Sequence, residues 1–493
     1  MRCHRSVILV LLTVLATFGQ SARQSPAGGI VLKPCEVPAA DDGKKVSVLC
    51  GSLDVFENRA AKSGRRISLR IVVFPASGAV KEPDAIFYIA GGPGSSSVED
   101  APYVAGDLAK VREHRDLVFL DQRGTGGSNP LNCEFFNAAD PQSYLGSWNP
   151  LEEVRRCRQQ LETKADLRLY TTTIAMDDLD EVRAALGYEK IDLVAGSYGT
   201  RASQTYMKRY GEHVRTAVLQ GISVPDQLMP RDFPEQTQRA LDGVINECDA
   251  NQDCNAAFPN LKAEAKAVLE KLTKGPVDVE IKYPENSDKT VKLKLPRDLA
   301  AEAVRYLLYN SGGASRVPLF LHQAAQGNFV PLAQAALYFR KELVGSGAGG
   351  LYLSITCAED LPWIKKGEGE GERYEQTFLG TYRLRQQREA CTLWPQGEVA
   401  RDYFEPVSSN IPTLLLTGQW DPVTPPLYAK RLASTLTNSV NLVVPSGGHG
   451  FGGLEGLDCI TKLQTDLIIT GKTAGLDTSC VNKIHRNRFQ LAQ

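Results

Sequence analysis

The feature that most limits the fold of this chain is a series of short, largely apolar runs: Leu69 to Phe74, Ala85 to Ile89, Leu117 to Leu120, Ile191 to Val194, Thr216 to Leu219, Thr413 to Leu416 and Asn441 to Val444. A strand with one wet face alternates apolar and polar residues, so a run that stays apolar is covered on both faces. Amphipathic stretches separate the runs, and together they predict an α/β fold: a buried, mostly parallel sheet with helices on both faces. The segment Ile174 to Leu186 places Ile174, Leu179, Val182 and Leu186 near helical spacing, with Gly187 as a stop. Between residues 223 and 410 the rhythm changes to longer helical patterns, such as Gln236 to Cys248, Leu261 to Leu272 and Leu299 to Leu308. Pro225, Pro230, Pro395 and Pro406 punctuate the flanks of that block. A chain of 493 residues exceeds one compact domain. The expected organisation is therefore a sheet core over 23–222 and 411–493, interrupted by an inserted lid over 223–410.

The first 22 residues read as a signal peptide: Arg2 and Arg5, an apolar run from Val7 to Phe18, then small and polar residues through Ala22. That run is too short for a membrane helix. Of eleven cysteines, Cys3 lies in this leader. An even set remains, which fits disulfides in an oxidising compartment, secreted or periplasmic. Spacing leaves their connectivity open; pairing of sequence neighbours is the expectation, because each such pair stays within one local segment. The formal net charge is -1, so nothing in the global balance attracts nucleic acid or an anionic membrane.

Ala195-Gly196-Ser197-Tyr198-Gly199 follows the Ile191 run. A nucleophilic serine on a tight strand-to-helix turn needs small neighbours, and Ala195 stands where that pattern has its first glycine. A serine hydroxyl needs a base oriented by an acid, which in this arrangement follow in the order acid, then histidine. Asp421, in Gly418-Gln419-Trp420-Asp421-Pro422-Val423-Thr424-Pro425, follows the Thr413 run, and His449, in Gly447-Gly448-His449-Gly450, follows the Asn441 run. His4, His114, His213, His322 and His485 have the wrong order or setting, and Glu455 and Asp458 come after His449. Developing negative charge on a carbonyl oxygen needs N–H donors. Gly91-Gly92-Pro93-Gly94 follows the Ala85 run; Pro93 has no N–H, so Gly92 and the backbone of Tyr198 are the expected pair.

Gly91-Gly92-Pro93-Gly94, Asp121-Gln122-Arg123-Gly124-Thr125-Gly126-Gly127-Ser128, the serine turn, the GQWDPVTP stretch and GGHG together resemble the proline iminopeptidase and tripeptidyl aminopeptidase group of α/β-hydrolase serine peptidases. The likeness runs from about Ser68 to Cys459 and is closest to the secreted tripeptidyl-aminopeptidase-like branch. Ala90 departs from it, since the iminopeptidase pattern usually has histidine there. The resemblance implies the α/β-hydrolase fold with a largely helical lid, Ser197, Asp421 and His449 as the triad, and Gly92 with Tyr198 as oxyanion donors. It further implies peptide substrates cut near a free N-terminus, with no metal or organic cofactor. Asp121 and Arg123 are expected to form a charge-assisted pair behind the serine turn. An ammonium needs a carboxylate, for which Glu359 and Asp360, beside Cys357, are the candidates. The alternatives are an esterase or lipase on the same scaffold and a catalytically silent binding module.

Overall fold

The computed structural model describes residues 23–24, 29–40, 44–284 and 287–492. The signal peptide expected over 1–22 lies outside the described residues. The strands, in chain order, are β1 (Arg23–Gln24), β2 (Val31–Pro38), β3 (Lys45–Phe56), β4 (Arg66–Phe74), β5 (Ala85–Ile89), β6 (Leu117–Leu120), β7 (Ile191–Gly196), β8 (Val214–Gln220), β9 (Val277–Lys282), β10 (Thr290–Leu295), β11 (Thr413–Gly418) and β12 (Ser439–Val444), followed by the short antiparallel pair β13 (Leu454–Glu455) and β14 (His485–Arg486). Each apolar run of the sequence falls inside one of them. One ten-stranded sheet takes the order β1-β2-β3-β4-β6-β5-β7-β8-β11-β12, and β9 and β10 pair separately as a hairpin.

The sheet has two halves of different character. From β1 through β4 to β6 every neighbour is antiparallel; from β6 through β5, β7, β8 and β11 to β12 every neighbour is parallel. The parallel half fits its sequence: β6 and β11 are buried at every position. Helices Tyr198–Tyr210 and Thr172–Leu186 pack together on one side, and Asp458–Thr470 packs against β8 and β11 on the other. The chain turns after Leu186 through Gly187 at φ 85°, the left-handed stop its glycine permits. β3 and the β9–β10 hairpin were not foreseen. Their residues alternate between buried and exposed, so they lack continuous apolar runs.

From Ile222 to Pro412 the chain leaves the sheet; helices including Phe233–Ala250, Leu261–Thr273, Arg297–Leu307, Val317–Ala325 and Val330–Ser346 form a second apolar cluster that also takes in Tyr144, Leu145 and Val423, while Leu351, Ile355 and Trp394 of the same segment join the core of the sheet. Five disulfides, Cys35–Cys50, Cys133–Cys157, Cys248–Cys254, Cys357–Cys391 and Cys459–Cys480, each join sequence neighbours. Among the described residues no helix is long and apolar enough to cross a membrane.

Candidate active site

Ser197 terminates β7 at φ 55° and ψ −128°. A non-glycine residue there costs on the order of 1–3 kcal/mol and persists only where its surroundings enforce it. They do. Its N–H donates to Gln220 O (2.9 Å) on β8, and Thr200 donates to its carbonyl through both N–H (2.9 Å) and Oγ1 (2.6 Å). Gly199 lets the following helix press onto β5: a Cβ there would lie 2.1 Å from Ile89 O. Ala195 is buried in β7 without disturbing its pairing to Ile89 and Leu219.

Asp421 sits in the loop after β11, wholly buried. Its Oδ1 accepts from the N–H groups of Val423 and Thr424 (2.8 Å each), and its Oδ2 accepts from Thr424 Oγ1 (2.7 Å). The motif Asp-Pro-Val-Thr is therefore a turn that wraps its own carboxylate. His449 Nδ1 lies 2.9 Å from Oδ2, so the proton belongs on Nδ1 and Nε2 is left as the acceptor. Burial pushes the Asp421 carboxyl up, but His449 and the Thr424 donors outweigh it and hold it below the usual range.

Ser197, His449, Gly92 and the first residue of the helix, Tyr198, line one cavity of about 360 Å³. The first N–H groups of a helix have no intrahelical acceptor, which leaves that of Tyr198 available. The glycine loop closes on the serine: a Cβ on Gly91 would stand 3.0 Å from Ser197 Cβ. Gly92, at φ 105°, makes the turn. Asp121 ties this loop down, accepting from Ser96 Oγ (2.6 Å), Val98 N (3.1 Å) and Gly127 N (2.9 Å).

Two expectations need correction. Asp121 and Arg123 do not pair with each other. Arg123 instead donates to Asp178 through Nε (2.6 Å) and Nη2 (2.9 Å), because residues two apart leaving a strand diverge once the chain turns. Glu359 and Asp360 do not line the cavity. Both are buried in the π-helical turn Thr356–Asp360, where Glu359 accepts from Thr172 N (2.6 Å), Thr172 Oγ1 (2.7 Å) and Tyr403 OH (2.6 Å), and Asp360 from Arg201 Nη1 (2.7 Å). Asp360 Oδ2 is buried without a hydrogen-bond partner, but neither carboxylate lines the cavity, so neither meets a substrate ammonium there. They act one layer back, since Thr172 Oγ1 also meets Tyr198 OH (2.7 Å). Burial raises Asp360 to about 6 despite Arg201.

Residues 376–480 match the family described as TAP-like protein. Across 96% of both chains the sequence is 27% identical to the serine protease Hip1 of Mycobacterium tuberculosis. It is 23% identical to the tripeptidyl aminopeptidase of Streptomyces lividans over 93% of this chain and 88% of that one. The chain is an enzyme similar over nearly its whole length to serine peptidases. The crystal structure of a Mycobacterium smegmatis proline iminopeptidase is also similar, at 14% identity and TM-score 0.42, over 85% of this chain and 98% of that one.

The enzyme surrounds its site with residues of the segment between β8 and β11 that sequence reasoning passed over. Arg239, on the lid helix Phe233–Ala250, donates to Gln419 O (2.8 Å) and Asp421 O (2.7 Å), gripping the acid loop from outside. Tyr309 sets its ring edge-on to His449 at 5.1 Å, and its carbonyl accepts from Gly450 N. Arg305, Arg340 and Arg383 line the cavity among aromatic rings. Nothing in the spacing of these arginines, on three separate helices, brings them together.

Proposed function

We propose that this protein is an exported serine peptidase that cleaves peptide bonds near a free N-terminus through an acyl-enzyme on Ser197. Ser197 Oγ attacks the peptide carbonyl as its proton passes to His449 Nε2, while Asp421 holds the Nδ1–H and steadies the imidazolium. The N–H groups of Gly92 and Tyr198 receive the oxyanion. His449 then returns the proton to the departing amine, and water attacks the ester by the same route in reverse. The observation that carries the reading is the strained Ser197 turn sharing one lid-covered cavity with the Asp421–His449 pair. The exopeptidase mode is supported by the tripeptidyl aminopeptidase relative. Export is supported by the leader-like N-terminus and the five disulfides, and the division into a core (23–222, 411–493) and a lid (223–410) by the insertion of 223–410 between the neighbouring strands β8 and β11.

The test is a panel of peptides, free and N-acetylated, incubated with the mature protein and with Ser197→Ala, the fragments weighed by mass spectrometry. Cleavage of free-amine peptides alone, lost in Ser197→Ala, is expected. Intact peptides alongside Ser197-dependent hydrolysis of short esters would remove the peptidase assignment.

A further inference from the structure

The cavity that Ser197 opens into has three guanidinium groups in its lining, from Arg305, Arg340 and Arg383, and no carboxylate. An ammonium-binding pocket would show the reverse. Among the described residues their one acidic partner is Glu302, set behind the lining: its Oε2 takes Arg305 Nη1 (3.1 Å), and its Oε1 takes Arg383 Nη1 (2.8 Å) and the hydroxyl of Tyr382. Burial works against the Glu302 charge, yet the two arginines hold its pKa down to about 2, so it is spent on them. Arg340 has no such partner. It donates to the carbonyls of Tyr144 (3.2 Å) and Ser147 (2.8 Å) and lies over the rings of Phe136 (4.3 Å) and Trp148 (4.4 Å). Three positive charges therefore face one negative. Each arginine is at most 4% exposed, and the Nε atoms of Arg305 and Arg383 have no acceptor.

Uncompensated buried charge is costly, and a guanidinium cannot relieve the cost by losing its proton. An anion supplied from outside relieves it. We infer that Arg305, Arg383 and Arg340 form a subsite for a substrate carboxylate. The Arg305 guanidinium carbon lies 5.4 Å from the Tyr309 ring centre, and that ring meets His449 at 5.1 Å. The anchored carboxylate therefore sits within about three residues of extended chain from the bond being cut. Two sources fit: an acidic side chain near the scissile bond, or the substrate's own terminal carboxylate. The inference rests on the Ser197 acyl-enzyme reading.

Matched peptides separate the sources: a C-terminally amidated peptide containing Gln, the same peptide with Glu in place of Gln, and the Gln peptide as its free acid. We expect kcat/KM at least ten-fold higher for one of the two carboxylate-bearing peptides than for the neutral one, and we expect that ratio to fall within two-fold in Arg305→Gln. This variant leaves Glu302 paired with Arg383 and Tyr382, and fluorophosphonate labelling of Ser197 reports that it is folded; Arg340→Gln serves if it is not. On the wild-type enzyme, glutarate should inhibit hydrolysis of a neutral ester competitively and glutaramide should not. Equal rates across the wild-type series with no glutarate inhibition, or a preference that survives Arg305→Gln, would overturn the subsite. If no peptide is cut while Ser197-dependent ester turnover is blocked by glutarate, the peptidase reading falls and the subsite stands.

Discussion

Two buried clusters of arginine and carboxylate flank the serine turn, and they are built with opposite excess. Behind Tyr198, one guanidinium, Arg201, faces two carboxylates, Glu359 and Asp360, with Tyr403 donating to Glu359. In the lid, two guanidiniums, Arg305 and Arg383, face one carboxylate, Glu302, with Tyr382 donating to it. The first cluster can settle its surplus alone, because Asp360 takes up a proton below about pH 6. The second cannot, since arginine stays charged. The sign of the excess thus distinguishes a sealed support from a surface waiting for a ligand, although both are equally hidden from solvent.

The sharpest separation of chemistry from support comes from a third buried acid. Asp421→Asn should leave the fold intact and lower kcat by about 10⁴-fold, because the amide favours the wrong imidazole tautomer; steady-state rates beside thermal unfolding check this. If the loss were small, Asp421 would be one more structural carboxylate. Arg201→Met strands two acids at once and should destabilise the protein by about 3–5 kcal/mol, read from urea denaturation. A neutral outcome would mean that the sealed cluster tolerates excess charge as the lid cluster does. Replacing Cys357 and Cys391 together by serine, which frees the segment carrying Glu359 and Asp360, should cost about 2–4 kcal/mol by the same measurement.

The smallest effect is a slope. The folded-state pKa of Asp360 lies above its ordinary 3.8, so the native state holds that proton more tightly. Its contribution to stability is fully present below pH 3.8 and is lost as pH rises through about 6. Urea midpoints taken from pH 4 to 7 should therefore fall less steeply in Asp360→Asn than in the wild type. Parallel slopes would show that the sealed cluster does not settle its charge by protonation.

How much of this was legible in the sequence follows from how locally each feature is encoded. The strands that carry Ser197 and Asp421 are buried on both faces, the strand before His449 is a half-buried edge with a short apolar run, and the turn residues follow all three closely. Even the Asp421 turn is written in five consecutive residues, 420–424. β3 was missed because its exposed positions break the apolar run, and the β9–β10 hairpin because its alternation sits among helices. Glu359 and Asp360 were read as facing the substrate because a pair of acids looks the same on a line whether it is sealed or open. Their partners Thr172, Arg201 and Tyr403, all far away in sequence, decide that. The lid arginines come from helices far apart in sequence, so the charge balance exists only after folding.

The insert leaves the sheet and rejoins it at adjacent points: Gly221 N donates to Leu416 O (2.8 Å), and Ala217 N to Pro412 O (3.0 Å). The two strands on either side of it, β8 and β11, are direct neighbours. To the sheet, the whole lid is therefore a loop with its ends already pinned, and the entropy of closing a loop grows only logarithmically with its length. Such a seam lets the cover over the serine be lengthened, shortened or exchanged while the strands beneath keep their register. The points that tie the cover to the hydrolytic engine are those where Arg239 holds the Asp421 loop, Tyr309 packs on His449 and Glu359 reaches Tyr198 through Thr172.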